Sequence, residues 1–208
     1  MKIHKVILNT NDIIEQKEFY FEKLELPIVE ETDFEITFQA GETLLTFQLV
    51  AYPVAAYHFA FNIPSKSLND AKAFLDRQEI HLVEDPKTEE TEFRFESWKA
   101  DAIYFYDGGQ NIVEFIAREN ISDHSDKFKI LNVSEIGVPV EDVVEAKKSF
   151  VQTYGYQEYD AENTPENFCA IGDEEGLIIF VSNERPWFPT MIPAINDEVE
   201  IEVDVEEL

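Results

Sequence analysis

Few side chains in this sequence combine a reactive type with a setting in which chemistry could follow. It has no glycine loop of phosphate-binding spacing, no Gly-x-Ser-x-Gly elbow and no zinc-finger spacing. The only cysteine, Cys169, sits in the strand-like run Asn167-Phe168-Cys169-Ala170-Ile171, where a packed, inert thiol is expected. What is left is imidazole, carboxylate and amide carried by extended segments. His58 opens His58-Phe59-Ala60-Phe61-Asn62-Ile63, and Glu114 lies in Ile112-Val113-Glu114-Phe115. Such groups transfer protons, hydrogen-bond polar ligands or, in sufficient number, coordinate metals. Asn9 and Asn62 share the alternating parity of Lys5 and His58, which would let them meet a polar ligand or hydrogen-bond within a barrel floor. His81 in Ile80-His81-Leu82-Val83 reads as surface or edge, and His124 falls in a polar stretch. Arg94 and Trp98 read as surface pairing and packing ahead of lining a pocket mouth, and Trp187, between Pro186 and Pro189, as an anchor for the chain.

The elements that must position these residues belong to an ordinary globular chain. Its 208 residues are 44% hydrophobic, enough for a normal core. A net charge of -28, from 44 acidic and 16 basic residues, repels phosphate backbones and anionic bilayers, so neither nucleic acid nor membrane is an expected partner. A lone cysteine rules out an intramolecular disulfide and fits a reducing compartment, so a cytoplasmic location is expected. No run approaches the ~18 apolar residues of a membrane span.

One pattern occurs three times along the chain: a strand, then a capped amphipathic helix. The strands are Lys5-Val6-Ile7-Leu8-Asn9-Thr10, His58 to Ile63, and Glu135-Ile136-Gly137-Val138-Pro139-Val140. Asp12 with Glu15, Ser67 with Asp70, and Asp142 with Glu145 supply the cap spacing. Apolar stripes follow at Ile13, Tyr20 and Leu24, at Leu68, Ala71 and Leu75, and at Val143, Ala146, Phe150 and Tyr154. Each helix leads to shorter extended segments ending in a glycine turn, at Gly41, Gly109 and Gly176, and an apolar strand. The fold class is therefore α+β, built from repeated βαβββ modules. Modules one and two are expected to pair across residues 1–118 into a curved, cup-like sheet with helices outside, a ligand sitting in the concavity. Residues 119–130 read as a linker and 131–208 as a third βαβββ module with a C-terminal strand. In that strand Val199, Ile201, Val203 and Val205 alternate with acidic residues, as in a half-buried edge.

The second module resembles the vicinal-oxygen-chelate superfamily of glyoxalases, bleomycin-resistance proteins and extradiol ring-cleaving dioxygenases. His58-Phe59-Ala60-Phe61 carries the resemblance, together with Ala102-Ile103-Tyr104-Phe105-Tyr106-Asp107-Gly108-Gly109-Gln110-Asn111-Ile112-Val113-Glu114-Phe115, where the turn holds one extra residue. Module one is similar through Leu8-Asn9-Thr10-Asn11-Asp12 and Phe19-Tyr20, and module three through Val138-Pro139-Val140-Glu141-Asp142. The resemblance implies one divalent metal (Fe, Mn, Ni or Zn) held from the first and last strands of paired modules, with substrate oxygens completing its shell. It places His58 and Glu114 as metal ligands and gives Glu114 the catalytic position. In module one the matching positions fall on Lys5 and Thr46, with His4 one residue off register and Gln48 nearby; module three offers Glu135 and Ile179, which is no better a set.

Two readings therefore stay open. One is a metal-dependent lyase, isomerase or ring-cleaving dioxygenase, with Lys5, Asn9, Asn62 and Thr46 around the substrate. The other is a metal-free, drug-sequestering binder of small molecules, in which His58 hydrogen-bonds to Glu114 or Lys5 neutralises it. A degenerate member whose strands serve assembly is a third option. A homodimer is also expected, because a third module would lack an internal partner.

Overall fold

The computed structural model describes residues 1–163 and 165–204, so Val205 of the expected last strand lies outside the described residues. Module one runs β1 (Ile3–Thr10), α1 (Ile13–Lys17, continued by a π-helical turn over Glu18–Lys23), β2 (Ile28–Glu31), β3 (Glu35–Ala40) and β4 (Thr43–Leu49). Module two follows as β5 (His58–Ile63), α2 (Leu68–Arg77), β6 (Glu92–Phe95), β7 (Ala100–Tyr106) and β8 (Ile112–Arg118). Module three is β9 (Asn132–Val140), α3 (Val143–Tyr154), β10 (Phe168–Asp173) and β11 (Gly176–Ser182), and β12 (Val199–Val203) closes the order. Module three thus departs from the βαβββ expectation by one strand, where a single bridge between Glu158 and Ile171 stands beside β10.

Two of the three expected caps form. Asp12 accepts from the amides of Ile14 and Glu15, and Asp142 accepts from Glu145. Ser67 does not cap α2; its hydroxyl donates to the Pro64 carbonyl, 2.9 Å away, and is spent on the turn.

Strand order corrects the expected module pairing. One sheet runs β12-β1-β4-β3-β2, and the other β10-β11-β9-β5-β8-β7-β6. Modules pair edge to edge through their first strands, and the free edge of β1 is covered by β12, which runs antiparallel to it with Val6 opposite Ile201. The alternating burial of β12 suits this place: its valines and isoleucine turn toward the core and its glutamates toward solvent. With β1 taken, β5 pairs with β9 instead, so the cup joins modules two and three. Module three therefore has its partner within the chain, and the argument for a homodimer from an unpaired module loses its basis.

Module one packs behind the cup. Thr43 ties the sheets together, its hydroxyl donating to the Ile3 carbonyl (2.7 Å) while accepting from the Val133 amide (3.1 Å). Beside it Gly41, at φ +60, brings the chain so close to Leu131 that no side chain would fit. The convex face of the seven-stranded sheet supplies Phe59, Phe61, Phe105 and Phe115 to one core shared with module one and the helices; the concave face has a separate, smaller core.

Candidate metal centre

Strand parity decides what the concave face presents. Along β5 it receives His58, Ala60 and Asn62, and along β8 Ile112, Glu114, Ile116 and Arg118, while the phenylalanines between them go to the convex core. Register then sets the neighbours. Ala60 lies beside Glu114 on β8 and opposite Glu135 on β9, so a single methyl group separates two carboxylates in one row across the sheet. His58 stands two residues along from Ala60 on the same face. One donor atom from each of His58, Glu114 and Glu135 lies within 4.8 Å of the other two, and all three residues are buried.

The hydrogen bonds prepare the imidazole as a ligand. Its Nδ1 is 3.0 Å from the Ile112 carbonyl oxygen, which can only accept, so Nδ1 carries the proton and Nε2 keeps its lone pair. Nε2 stands 3.7 Å from Glu114 Oε2, too far for the direct His58–Glu114 hydrogen bond of the metal-free reading. Burial pushes the imidazole down to about 4; the Ile112 bond opposes this and the positive Arg185 adds to it.

The two carboxylates differ. Burial raises Glu135, against the pull of Arg118, with which it forms an ion pair; Arg118 is wholly buried. Burial and then repulsion by Glu135 hold Glu114 well above the usual carboxylate range, with Arg118 and the Tyr104 hydroxyl opposing. Glu114 therefore gives up its proton at higher pH than an ordinary carboxylate does.

These groups line a cavity of about 290 Å³ walled by Phe95, Trp98, Tyr104, Phe168, Trp187 and Phe188, with Ile179 and Arg185 beside them. Part of the wall is a strap that follows β11. The Trp187 amide donates to Ile192 (2.9 Å) and the Ala194 amide to Arg185 (2.8 Å), which folds the strap over the cup. Gly137 makes this fit: a Cβ there would stand 2.5 Å from Trp187 Cη2. Gly137→Ala is expected to lift Trp187, cost about 1–3 kcal/mol through overpacking and red-shift tryptophan emission, which denaturant titration followed by fluorescence would register. Unchanged emission and stability would mean that the strap does not depend on this contact.

No protein-family model and no curated relative matches the chain. Solved structures do. The chain overlays on a candidate dioxygenase from Bacillus subtilis with TM-score 0.60 and 13% identity, over 96% of this chain and 66% of that one. A glyoxalase I mutant from Zea mays gives TM-score 0.61 and 13% identity, over 96% of this chain and 73% of the other. The fold is that of the vicinal-oxygen-chelate proteins. At such identities the likeness speaks for architecture alone, and the chain spans about two thirds of the Bacillus subtilis protein, 66% of its length.

Pairing modules two and three brings His58 and Glu135 of the first strands together with Glu114 and Ile179 of the last strands around one cavity. Glu135, set aside in the sequence reading with module three, becomes the third donor. Lys5, Asn9 and Thr46 do not join it, because their module lies behind the cup; none of them lines the cavity. Thr46 shares a 2.9 Å hydrogen bond with Thr37, Asn9 donates to the Tyr52 hydroxyl (2.9 Å), and Lys5 cannot serve as counter-charge to Glu114 from the other sheet. Asn62 faces the concave side but donates to the Glu174 carbonyl (2.8 Å), outside the cavity lining. His4 pairs with Asp204, Gln48 with Glu35, His124 with Ser65, and Arg94 with Glu119 and Asp101, and none of these four lines the cavity. Trp98 does line the cavity, Trp187 is both anchor and wall, and Cys169 is buried with its thiol pushed up to about 11. The sequence reading missed Arg118. Its four-residue spacing from Glu114 puts both charges on the inward face of an otherwise apolar strand, a signal that was present.

Proposed function

We propose that this chain is a divalent-metal-dependent enzyme acting on a small molecule held in the cup, with His58, Glu114 and Glu135 as its protein ligands. The class is a lyase, isomerase or ring-cleaving dioxygenase. One observation carries the reading: three buried donors converge within 4.8 Å at the wall of an open cavity. One imidazole nitrogen and two carboxylates suit iron, manganese, nickel or zinc, and the count matches that of open catalytic sites. Ile179 at the fourth position offers no donor, which leaves room for substrate oxygens. When bound, the ion supplies Lewis acidity toward those oxygens, and redox chemistry if it is iron. The chain orients His58 through Ile112, balances Glu135 with Arg118 and shields the site with Trp187 and Phe188. Elemental analysis of protein purified without chelator or histidine tag tests the reading. Near-stoichiometric metal that is lost in His58→Ala and Glu114→Ala supports it. No uptake after reconstitution with any of the four metals ends it.

A metal-free binder is the second reading. Arg118 neutralises Glu135 and burial favours the neutral form of Glu114, so the cluster does not require a cation, and the aromatic wall alone would supply affinity.

Metal affinity should rise with pH. His58, at about 4, is already neutral near pH 7 and releases nothing on binding a cation. Glu114, raised well above its ordinary value, must give up its proton to bind. Affinity should therefore climb by about tenfold per pH unit until the pH passes the raised Glu114 value, and then level off. Competition with a chromophoric chelator across a pH series would measure it, after correction for the chelator's own protonation. A flat profile would mean that Glu114 is ionised before metal arrives or is not a ligand.

A further inference from the structure

The chain has four arginines, and three of them are accounted for. Arg94 pairs with acids at the surface, Arg118 pairs with Glu135, and Arg77 is exposed, where water solvates it. Arg185 is different. It sits on the strap at the cavity wall, partly buried, with its guanidinium carbon 5.1 Å from the centroid of the Phe168 ring. No acidic side chain among the described residues comes within ion-pair distance, although 44 acids surround 16 bases in this chain. The two carboxylates in the same cavity are otherwise engaged, Glu135 with Arg118 and Glu114 facing His58. The cavity wall thus carries a guanidinium with no anion set against it among the described residues.

A guanidinium on a ring face presents a planar fork, and the group that matches it is a carboxylate bound through both oxygens. The rest of the wall is flat and apolar, with Trp98, Phe168, Trp187 and Phe188 placed to sandwich a ring. We infer that the ligand of this cavity is a planar aromatic carboxylate, its carboxylate held by Arg185 and its ring lying between the wall aromatics with its far end toward His58. The inference takes the cavity as the substrate site and to that extent rests on the function proposed above. Burial of Arg185, which lowers its hold on its own proton, adds to the demand for an anion there.

Both tryptophans of the chain line this cavity, so their emission reports occupancy. The probes are cinnamate and its uncharged amide, titrated into chelator-treated and metal-reconstituted protein while emission is followed. The carboxylate should bind roughly 10- to 100-fold tighter than the amide, as expected for a charged hydrogen-bonded pair. The preference should vanish in Arg185→Gln and survive in part in Arg185→Lys. Because Arg185 has no ion pair to lose, Arg185→Gln should unfold at the wild-type temperature or above, which separates a lost ligand contact from a damaged fold. A preference retained in Arg185→Gln, equal affinity for the two probes, or no binding of either at millimolar concentration overturns the inference. Metal content measured on the same samples keeps the two claims apart. Metal without carboxylate preference defeats this inference alone, and Arg185-dependent preference without metal uptake defeats the enzyme reading alone.

Discussion

Glu114→Gln should lower metal affinity by more than about 100-fold while leaving the metal-free protein as stable as wild type. The first half follows from the donor count. With Ile179 at the fourth position, His58 and Glu135 would be left as a two-donor site, and loss even of groups that only support a ligand costs 10- to 100-fold. The second half follows from burial. Burial and Glu135 both favour the protonated form of Glu114 when no cation faces it, and an amide has nearly the shape and hydrogen-bonding pattern of a protonated carboxyl. Chelator competition and thermal unfolding of the apo protein measure the two halves separately. Full metal affinity in the variant would remove Glu114 from the ligand set. A large fall in apo stability would show instead that Glu114 is ionised in the folded protein and stabilises it as an anion.

How much of this centre could be read from sequence depended on how far apart its parts lie along the chain. His58 and Glu114 belong to one module, β5 and β8 being parallel neighbours; the rhythm of strand, helix and glycine turn gave the two strands, and the family resemblance singled out these two residues on them. Glu135 was in view but could not be valued, because its worth depends on which first strand meets which. That choice is made by β12, whose alternation identified it as a half-buried strand but not as the partner of β1, almost the whole chain away. Side-chain pattern says that an edge must be covered; it does not say by what. Lys5 and Thr46 were misplaced by the same missing fact. The Ser67 cap failed for a local reason, since a nearer carbonyl at Pro64 took the hydroxyl.

The largest effect on stability is expected at the other carboxylate. Among the described residues, Glu135→Gln removes the only anion paired with Arg118, whose guanidinium is fully buried beneath Trp98 and already has Nε and one terminal nitrogen without partners. A guanidinium cannot escape by losing its proton near neutral pH, so the variant must bury an uncompensated cation or open the cup to hydrate it. Breaking one side of such a pair costs about 3–5 kcal/mol, whereas replacing both sides by apolar groups of similar volume is often neutral. Glu135→Leu with Arg118→Met should therefore recover most of the stability lost in Glu135→Gln, but none of the metal affinity, because the third donor stays absent. Denaturant unfolding of the two single variants and the double variant measures the coupling, and metal content is read on each. A loss below about 1 kcal/mol in Glu135→Gln would put the pair in the range of solvent-exposed ion pairs and mean that water reaches Arg118. Arg118→Met alone separates the roles further. It frees Glu135 from its competitor but also removes the charge that lowers both carboxylates, so a site built for a cation should bind it more tightly only once the pH is high enough to ionise them, even as the apo fold weakens. A site that uses Glu135 only to neutralise Arg118 would lose stability and gain no metal.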